Sequence, residues 1–157
     1  MGAPIKSTPK FEGFKTARFA LRLKGSKIEG SGVYAAQNIP ARRLVIEYTG
    51  EKISPREADR RFWRMMRRKG PKYSYLFQVD DFVVDGAFGG SGAEFINHSC
   101  EPNLYVRRAK GRIYVHSLRT IRAGEELTYD YEAAPEAVTY PCRCGSAHCR
   151  GTINLVG

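Results

Sequence analysis

The chain has 157 residues, enough for one domain with its own core and too few for two. With 42% hydrophobic and 27% charged residues its composition is globular. No apolar run reaches the length of a bilayer span or a signal peptide, so no membrane association and an intracellular location are expected. The net charge of +10 favours polyanions as neighbours.

Residues 1–15 hold Pro4, Lys6, Pro9 and Lys10 without periodicity and read as a mobile arm. Alternation over residues 16–23 predicts a strand with Ala17, Phe19, Leu21 and Leu23 on one face. A turn with Gly25, Gly30 and Gly32 follows, where backbone can approach another group closely. Short strands are predicted at 33–36 and 44–48. At Ser54 the signals switch to helix: Ser54 as N-cap, Pro55 in the first turn, Glu57 completing a capping box, and Gly70 as the stop. Ala58, Phe62, Met65 and Met66 form its expected inner face, with the arginines outside. Its cations extend over residues 55–69, which makes this helix the candidate surface for nucleic acid or nucleoprotein. Hairpins are predicted for 73–79 with 82–84 across Asp80-Asp81, and for 104–108 with 112–117 across Lys110-Gly111. A last short strand falls within 126–131. The fold class is therefore mainly β, a β-rich α+β domain with one inserted basic helix.

Between the hairpins lies Glu94-Phe95-Ile96-Asn97-His98-Ser99-Cys100-Glu101-Pro102-Asn103. The apolar doublet anchors this stretch in a core, and Asn97 and His98 arrive behind it with donors and acceptors that need partners once buried. The four cysteines are Cys100, Cys142, Cys144 and Cys149, the last three spaced Cys-x-Cys-x-x-x-x-Cys. Four thiolates suit a closed tetrahedral zinc site, and an intracellular setting disfavours the alternative of disulfides. Zinc is expected, with Cys100 tying the tail to the Asn97-His98 loop. His148, beside Cys149, is a competing ligand.

Taken together, Gly30-Ser31-Gly32, Tyr48-Thr49-Gly50, residues 95–103, Glu126-Leu127-Thr128-Tyr129-Asp130-Tyr131 and the cysteine tail resemble a SET-domain protein lysine methyltransferase with a post-SET zinc segment. The chain looks most like the compact bacterial members, as a stand-alone catalytic domain. The resemblance implies small β-sheets with a C-terminal pseudoknot, an arm at 1–15, a catalytic domain at 16–134 and a zinc-binding tail at 135–157. It implies S-adenosylmethionine as methyl donor. Glu29, Gly30, Ser31 and Gly32 would cradle its methionine end, with Tyr75 packed on it and Asn97 and His98 holding its amino group and adenine. Tyr131 corresponds to the catalytic tyrosine, Tyr48 to a second tyrosine of the lysine channel, and Tyr129 to the position associated with the number of methyl groups added. Glu94 stands where many members carry arginine.

The resemblance also implies a lysine-bearing basic protein as substrate, histone, histone-like or other, with monomethylation favoured over dimethylation. A monomer is expected, in the nucleoid or cytoplasm of a bacterium or on the chromosomes of a eukaryote. The alternative is a zinc-stabilised module of weak activity that binds nucleic acid or chromatin.

Overall fold

The computed structural model describes residues 10–70, 73–134 and 138–156. The first nine residues of the expected arm, and the first three and the last residue of the expected tail, lie outside these.

The chain runs β1 (Leu21–Gly25), β2 (Ser31–Ala35), β3 (Leu44–Tyr48), β4 (Glu51–Ile53), α1 (Pro55–Met66), β5 (Leu76–Val79), β6 (Phe82–Asp85), β7 (Asn97–His98), β8 (Leu104–Ala109), β9 (Arg112–Ser117) and β10 (Thr128–Tyr129). These make four small sheets: the hairpin β1-β2, the triplets β3-β9-β8 and β4-β6-β5, and the pair β10-β7. Only the last is parallel, Thr128 opposite Asn97 and Tyr129 opposite His98, so two segments remote in sequence meet there. Both predicted hairpins form, and Lys110 and Gly111 hold the paired positive φ angles, 51° and 71°, of a tight two-residue turn. Among the described residues no helix is long and apolar enough to cross a membrane.

Several boundaries differ from the sequence reading for physical reasons. The strand predicted at 16–23 starts only at Leu21. Before it, the Thr16 hydroxyl donates to the Glu47 carbonyl at 2.8 Å and accepts from the Glu47 N–H, so a side chain replaces a strand ladder. Of the residues assigned to the arm, Phe11 and Phe14 pack on the core, and the Phe11 ring meets those of Phe14 and Phe95 at 4.9 and 5.8 Å. The chain is thus held from Phe11 onward. β4 was not anticipated, since Glu51-Lys52-Ile53 has one apolar residue and no legible period. Residues 126–131 split between two partners: Glu126 bridges Tyr34, and only Thr128–Tyr129 pair with β7.

The helix begins where predicted, with Ser54 accepting the Glu57 N–H, but the Glu57 carboxylate turns to Arg60 and Arg61 rather than completing the capping box, and the helix ends at Met66 with Arg67 as cap, before Gly70. Ala58 is buried, while Phe62, Met65 and Met66 are half-buried. Arg61 departs from the outward arginines. Its guanidinium turns toward β4 and β6, bonding Glu57 and Glu51 at 2.8 Å and the buried Asp85 at 2.7 Å. The main core gathers Val33, Ile39, Val45, Ile46, Val79, Ile96, Leu104, Ile113, Val115, Ile121 and Leu127, all nearly or wholly buried. It lies directly behind β7 and β10.

Candidate active site

Where β7 meets β10, the core delivers two polar side chains, Asn97 and His98, each held by named partners. Asn97 is 9% exposed, and its amide Nδ2 donates to the Glu29 carbonyl at 3.1 Å, the Ser31 carbonyl at 3.0 Å and Glu126 Oε1 at 3.0 Å. The predicted cradle runs from the end of the β1-β2 turn, Glu29 and Gly30, into the start of β2, Ser31 and Gly32, and is drawn against Asn97 by the Glu29 and Ser31 carbonyls. His98 Nδ1 accepts the Tyr131 backbone N–H at 3.1 Å, which leaves the ring proton on Nε2, 3.4 Å from Cys100 Sγ. Burial lowers the imidazole pKa, opposed by Asp130, so His98 is neutral at physiological pH.

The tyrosines form an aromatic wall. Tyr129 and Tyr131 rings lie 5.0 Å apart, and Phe77 stands 5.1 Å from Tyr48 and 6.1 Å from Tyr129. The Tyr131 hydroxyl donates to the Ile96 carbonyl at 2.6 Å and that of Tyr48 to the Tyr75 carbonyl at 2.6 Å. No group among the described residues pairs with the Tyr129 hydroxyl. Tyr129, Tyr131 and Phe77 line a pocket of about 170 Å³, together with Tyr105, Val106 and Arg108. Tyr48 stands behind this wall and does not line the pocket. Burial raises the phenol pKa of Tyr48 and Tyr129 well above the ordinary value and pushes that of Tyr75 up to about 12; Tyr131 is 38% exposed, and the burial of the rest of its ring beside Tyr129 and Tyr75 moves its phenol in the same direction. None of the four is a phenolate at neutral pH, so none is a proton acceptor of consequence there. Tyr75, half-buried, has its ring 6.1 Å from Phe95.

The sulfur atoms of Cys100, Cys142, Cys144 and Cys149 all lie within 4.8 Å of one another, and none is in a disulfide. Cys100 and Cys142 sulfurs are 3.7 Å apart, close to the ~3.8 Å edge of a tetrahedron with metal–sulfur bonds near 2.3 Å. The Arg150 N–H points at Cys100 Sγ and the Gly151 N–H at Cys149 Sγ, each at 3.4 Å. The donor set fits zinc. His148 is turned away from the cluster: its Nδ1 bonds Glu101, as does the Ser146 hydroxyl, locking the tail to residues 99–103.

Three participants, Glu126, Arg150 and Asn154, were given no role by the sequence, and a fourth, Glu94, was noted only as a departure from the family pattern. Glu126 bonds Asn97, Ser26 and Tyr34, and its seat requires Gly32, where a Cβ would fall 2.2 Å from Oε1. Arg150 grips Asp130 bidentately at 2.7 and 3.1 Å and holds that carboxyl below its usual range despite burial. Asn154 is buried in the tail, accepting from Tyr140 N–H and donating to the Ala134 carbonyl. Glu94, at the position of the family's common arginine, is 9% exposed and accepts from the Gly92 N–H at 2.8 Å. It makes Gly86 necessary, since a Cβ there would lie 2.8 Å from Glu94 Cβ and 2.6 Å from the Tyr48 hydroxyl. The signal for Glu94 was its place before the apolar doublet, where many members carry arginine; Arg150 follows Cys149 directly.

Comparison with known proteins bears on the same residues. A family model described as the SET domain matches residues 30–132. A Schizosaccharomyces pombe protein named histone-lysine N-methyltransferase, H3 lysine-4 specific, is 42% identical over 150 residues, 92% of this chain and 16% of that protein. Human histone-lysine N-methyltransferase SETD1B is 40% identical over 150 residues, 92% of this chain and 8% of that one. The chain therefore spans less than a fifth of the length of these curated relatives. Among solved structures, KRYPTONITE in complex with mCHG DNA and SAH superposes with a TM-score of 0.72 at 30% identity, covering 87% of this chain and 29% of that one. A complex of KRYPTONITE with mCHH DNA, an H3(1-15) peptide and SAH gives a TM-score of 0.69 at 31% identity, with 87% and 30% covered. With the small sheets, the crossing of β7 and β10 and the cysteine cluster already in place, the match over residues 30–132 settles the family: this chain belongs to the SET-domain proteins.

Proposed function

We propose that the chain transfers a methyl group from S-adenosylmethionine to the side-chain amine of lysine in a histone, histone-like or other basic protein, acting as a monomeric protein-lysine N-methyltransferase. The observation that carries this reading is the meeting at one crossing of the Glu29–Gly32 turn, the Asn97 amide and the pocket walled by Tyr129 and Tyr131. The names of the relatives and the SAH and H3 peptide held by the structural neighbours support it. On this reading Asn97 and the turn hold the amino-acid end of the cofactor, and Cys100, Cys142, Cys144 and Cys149 hold zinc.

When bound, the cofactor supplies a methyl carbon on a sulfonium, open to in-line displacement. The amine must arrive neutral. Free lysine has a pKa near ~10.4, and a dry aromatic channel lowers it, so its proton leaves to water before transfer. Tyr129, Tyr131 and Phe77 exclude water and align the nitrogen, a contribution worth up to roughly 7–11 kcal/mol in well-oriented systems. Tyr131 orients by hydrogen bonding rather than by taking a proton. Incubating purified protein with labelled S-adenosylmethionine and a mixture of core histones and other basic proteins should place the label on lysine. Label on arginine, or none in zinc-replete protein, would overturn the reading.

The unpartnered Tyr129 hydroxyl supports monomethylation over dimethylation: it can hold the amine or a water, and it takes space a dimethylated nitrogen needs. Mass spectrometry of peptide products should show monomethyl-lysine for the parent and a shift to higher states for Tyr129→Phe. An unchanged distribution would remove Tyr129 from this role.

The exposed face of α1 supports nucleic-acid contact beside catalysis. Trp63 is 50% exposed among Arg56, Arg64, Arg67 and Lys69, for which no carboxylate partner is present among the described residues. A base-stacking ring amid phosphate-binding cations suits a polyanion. Binding should weaken steeply with salt and fall further when Arg56, Arg64 and Arg67 become glutamate. Equal binding by the two proteins would leave α1 an ordinary solvated face.

A further inference from the structure

The side-chain amide of Asn97 has two ends, and its surroundings determine which faces the cofactor. Three groups crowd its nitrogen: the Glu29 and Ser31 carbonyls and Glu126 Oε1. All three only accept, so the amide cannot turn its oxygen toward them without placing acceptor against acceptor. Asn97 Oδ1 is thereby pointed the other way, where no donor among the described residues meets it. Of the three fixing groups, only Glu126 does so with a side chain, and only Glu126 has a carboxylate's excess of lone pairs. It is itself fixed. Ser26 Oγ donates to Oε1 at 2.7 Å, the Tyr34 hydroxyl donates to Oε2 at 3.2 Å, and Gly32 leaves the space it occupies. The same Ser26 hydroxyl accepts the Ile28 N–H at 3.0 Å, so one carboxylate anchors both the turn and the amide.

We infer that Glu126 is a positioning residue for cofactor recognition: it locks Asn97 in the flip that presents Oδ1 as an acceptor, and so makes the site selective for ligands carrying an α-ammonium group. An ammonium is a donor only, and an amide turned the other way would meet it with N–H groups. The inference rests on the reading of Asn97 as holder of the cofactor's amino-acid end.

The test compares two ligands by calorimetry on zinc-loaded protein: S-adenosylhomocysteine, which has the amino-acid end, and 5′-methylthioadenosine, which lacks it. Glu126→Gln keeps the volume but replaces one of the three acceptors with a group that can offer Asn97 an N–H, so only the Glu29 and Ser31 carbonyls still oppose the wrong flip. It should weaken S-adenosylhomocysteine about tenfold while leaving 5′-methylthioadenosine nearly unchanged, the loss expected for one charge-assisted contact. Ser26→Ala, which frees Glu126 without touching Asn97, should give a smaller loss with the same selectivity, and it serves where Glu126→Gln does not fold. Equal weakening of both ligands, or of neither, would overturn the inference. Asn97→Ala separates the two layers. If it too loses no preference for S-adenosylhomocysteine, the reading of Asn97 has failed. If it loses that preference while Glu126→Gln and Ser26→Ala keep it, only the role given to Glu126 has failed.

Discussion

A single hydroxyl separates the alignment role of Tyr131 from its packing role. Its ring stays wedged between His98 and Tyr129, at 5.4 and 5.0 Å, whether or not the oxygen is present. Tyr131→Phe should therefore leave the fold and S-adenosylhomocysteine affinity little changed while lowering turnover on the order of 100-fold, the usual scale for one transition-state hydrogen bond. Single-turnover kinetics beside a binding isotherm would check this, and parental turnover would remove Tyr131 from catalysis. Glu94 acts on stability instead. Burial raises its carboxyl pKa, opposed by its own backbone N–H, the Gly92 N–H and the field of Lys15. In the unfolded chain a glutamate titrates near ~4.3. Between that value and the higher folded one, the native protein binds more protons, so stability falls as pH rises through this window and stays lower above it. Glu94→Gln keeps an acceptor for the Gly92 N–H and removes the buried charge. It should stabilise the protein by about 1 kcal/mol at neutral pH and leave stability near pH 4 almost unchanged. Urea denaturation at the two pH values decides it; a Glu94→Gln variant no more stable at neutral pH would show the carboxylate to be better satisfied than these N–H groups suggest.

At the scale of elements, α1 is tied to its sheet less by its apolar face than by Arg61. Only Ala58 of that helix is buried, in a small cluster with Ile53 and Val83, while the Arg61 guanidinium reaches Asp85, which is 4% exposed. Removing Arg61 strands that carboxylate. Arg61→Ala should cost about 2–4 kcal/mol, and Arg61→Lys should recover only part of it, since an ammonium cannot reproduce the fork that spans Glu57, Glu51 and Asp85. Thermal unfolding would measure both, and a loss no larger than that of an exposed Arg64→Ala control would reduce the triad to a surface contact. The same helix shows what local pattern conveys. The capping box and Pro55 marked its start, because capping is chemistry between residues three apart. Its end and the inward turn of Arg61 depended on Asp85 across the sheet, which no periodicity contains. Likewise both hairpin turns were legible from Asp80-Asp81 and Lys110-Gly111. β4, whose partner β6 lies beyond the helix, was not.

Over the whole molecule, the cysteine tail closes the site. His98 donates to Cys100 and accepts from Tyr131, and Arg150 bonds Asp130 between the two pocket tyrosines, so metal and pocket share a wall. Elemental analysis should find about one zinc per chain. Cys144→Ser, or chelation of the parent, should release residues 138–156 to proteolysis and weaken S-adenosylhomocysteine binding together. Full activity in protein shown to be metal-free would break that link. The candidate site was legible where motif residues sit side by side, as at Asn97-His98 and Tyr129-Asp130-Tyr131. Glu126 and Asn154 escaped notice because their importance lies in what they touch rather than in their neighbours in the sequence.

The parallel pairing of β7 with β10 has a temporal consequence. Asn97 finds its partners 68, 66 and 29 residues away, His98 meets Tyr131 across 33, and Cys100 meets Cys142 across 42. A ribosome delivers the chain from its N-terminus, so β1, β2 and the helix can settle while Asn97 and His98 still lack half of their surroundings. The pocket, whose lining runs from Phe77 to Glu132, is complete only once β10 has emerged and these long loops have been drawn shut, an ordering cost that local contacts do not carry. A nascent chain paused before Tyr131 would bind no cofactor, and for that interval the polar pair at the heart of the protein is a liability that only the final residues resolve.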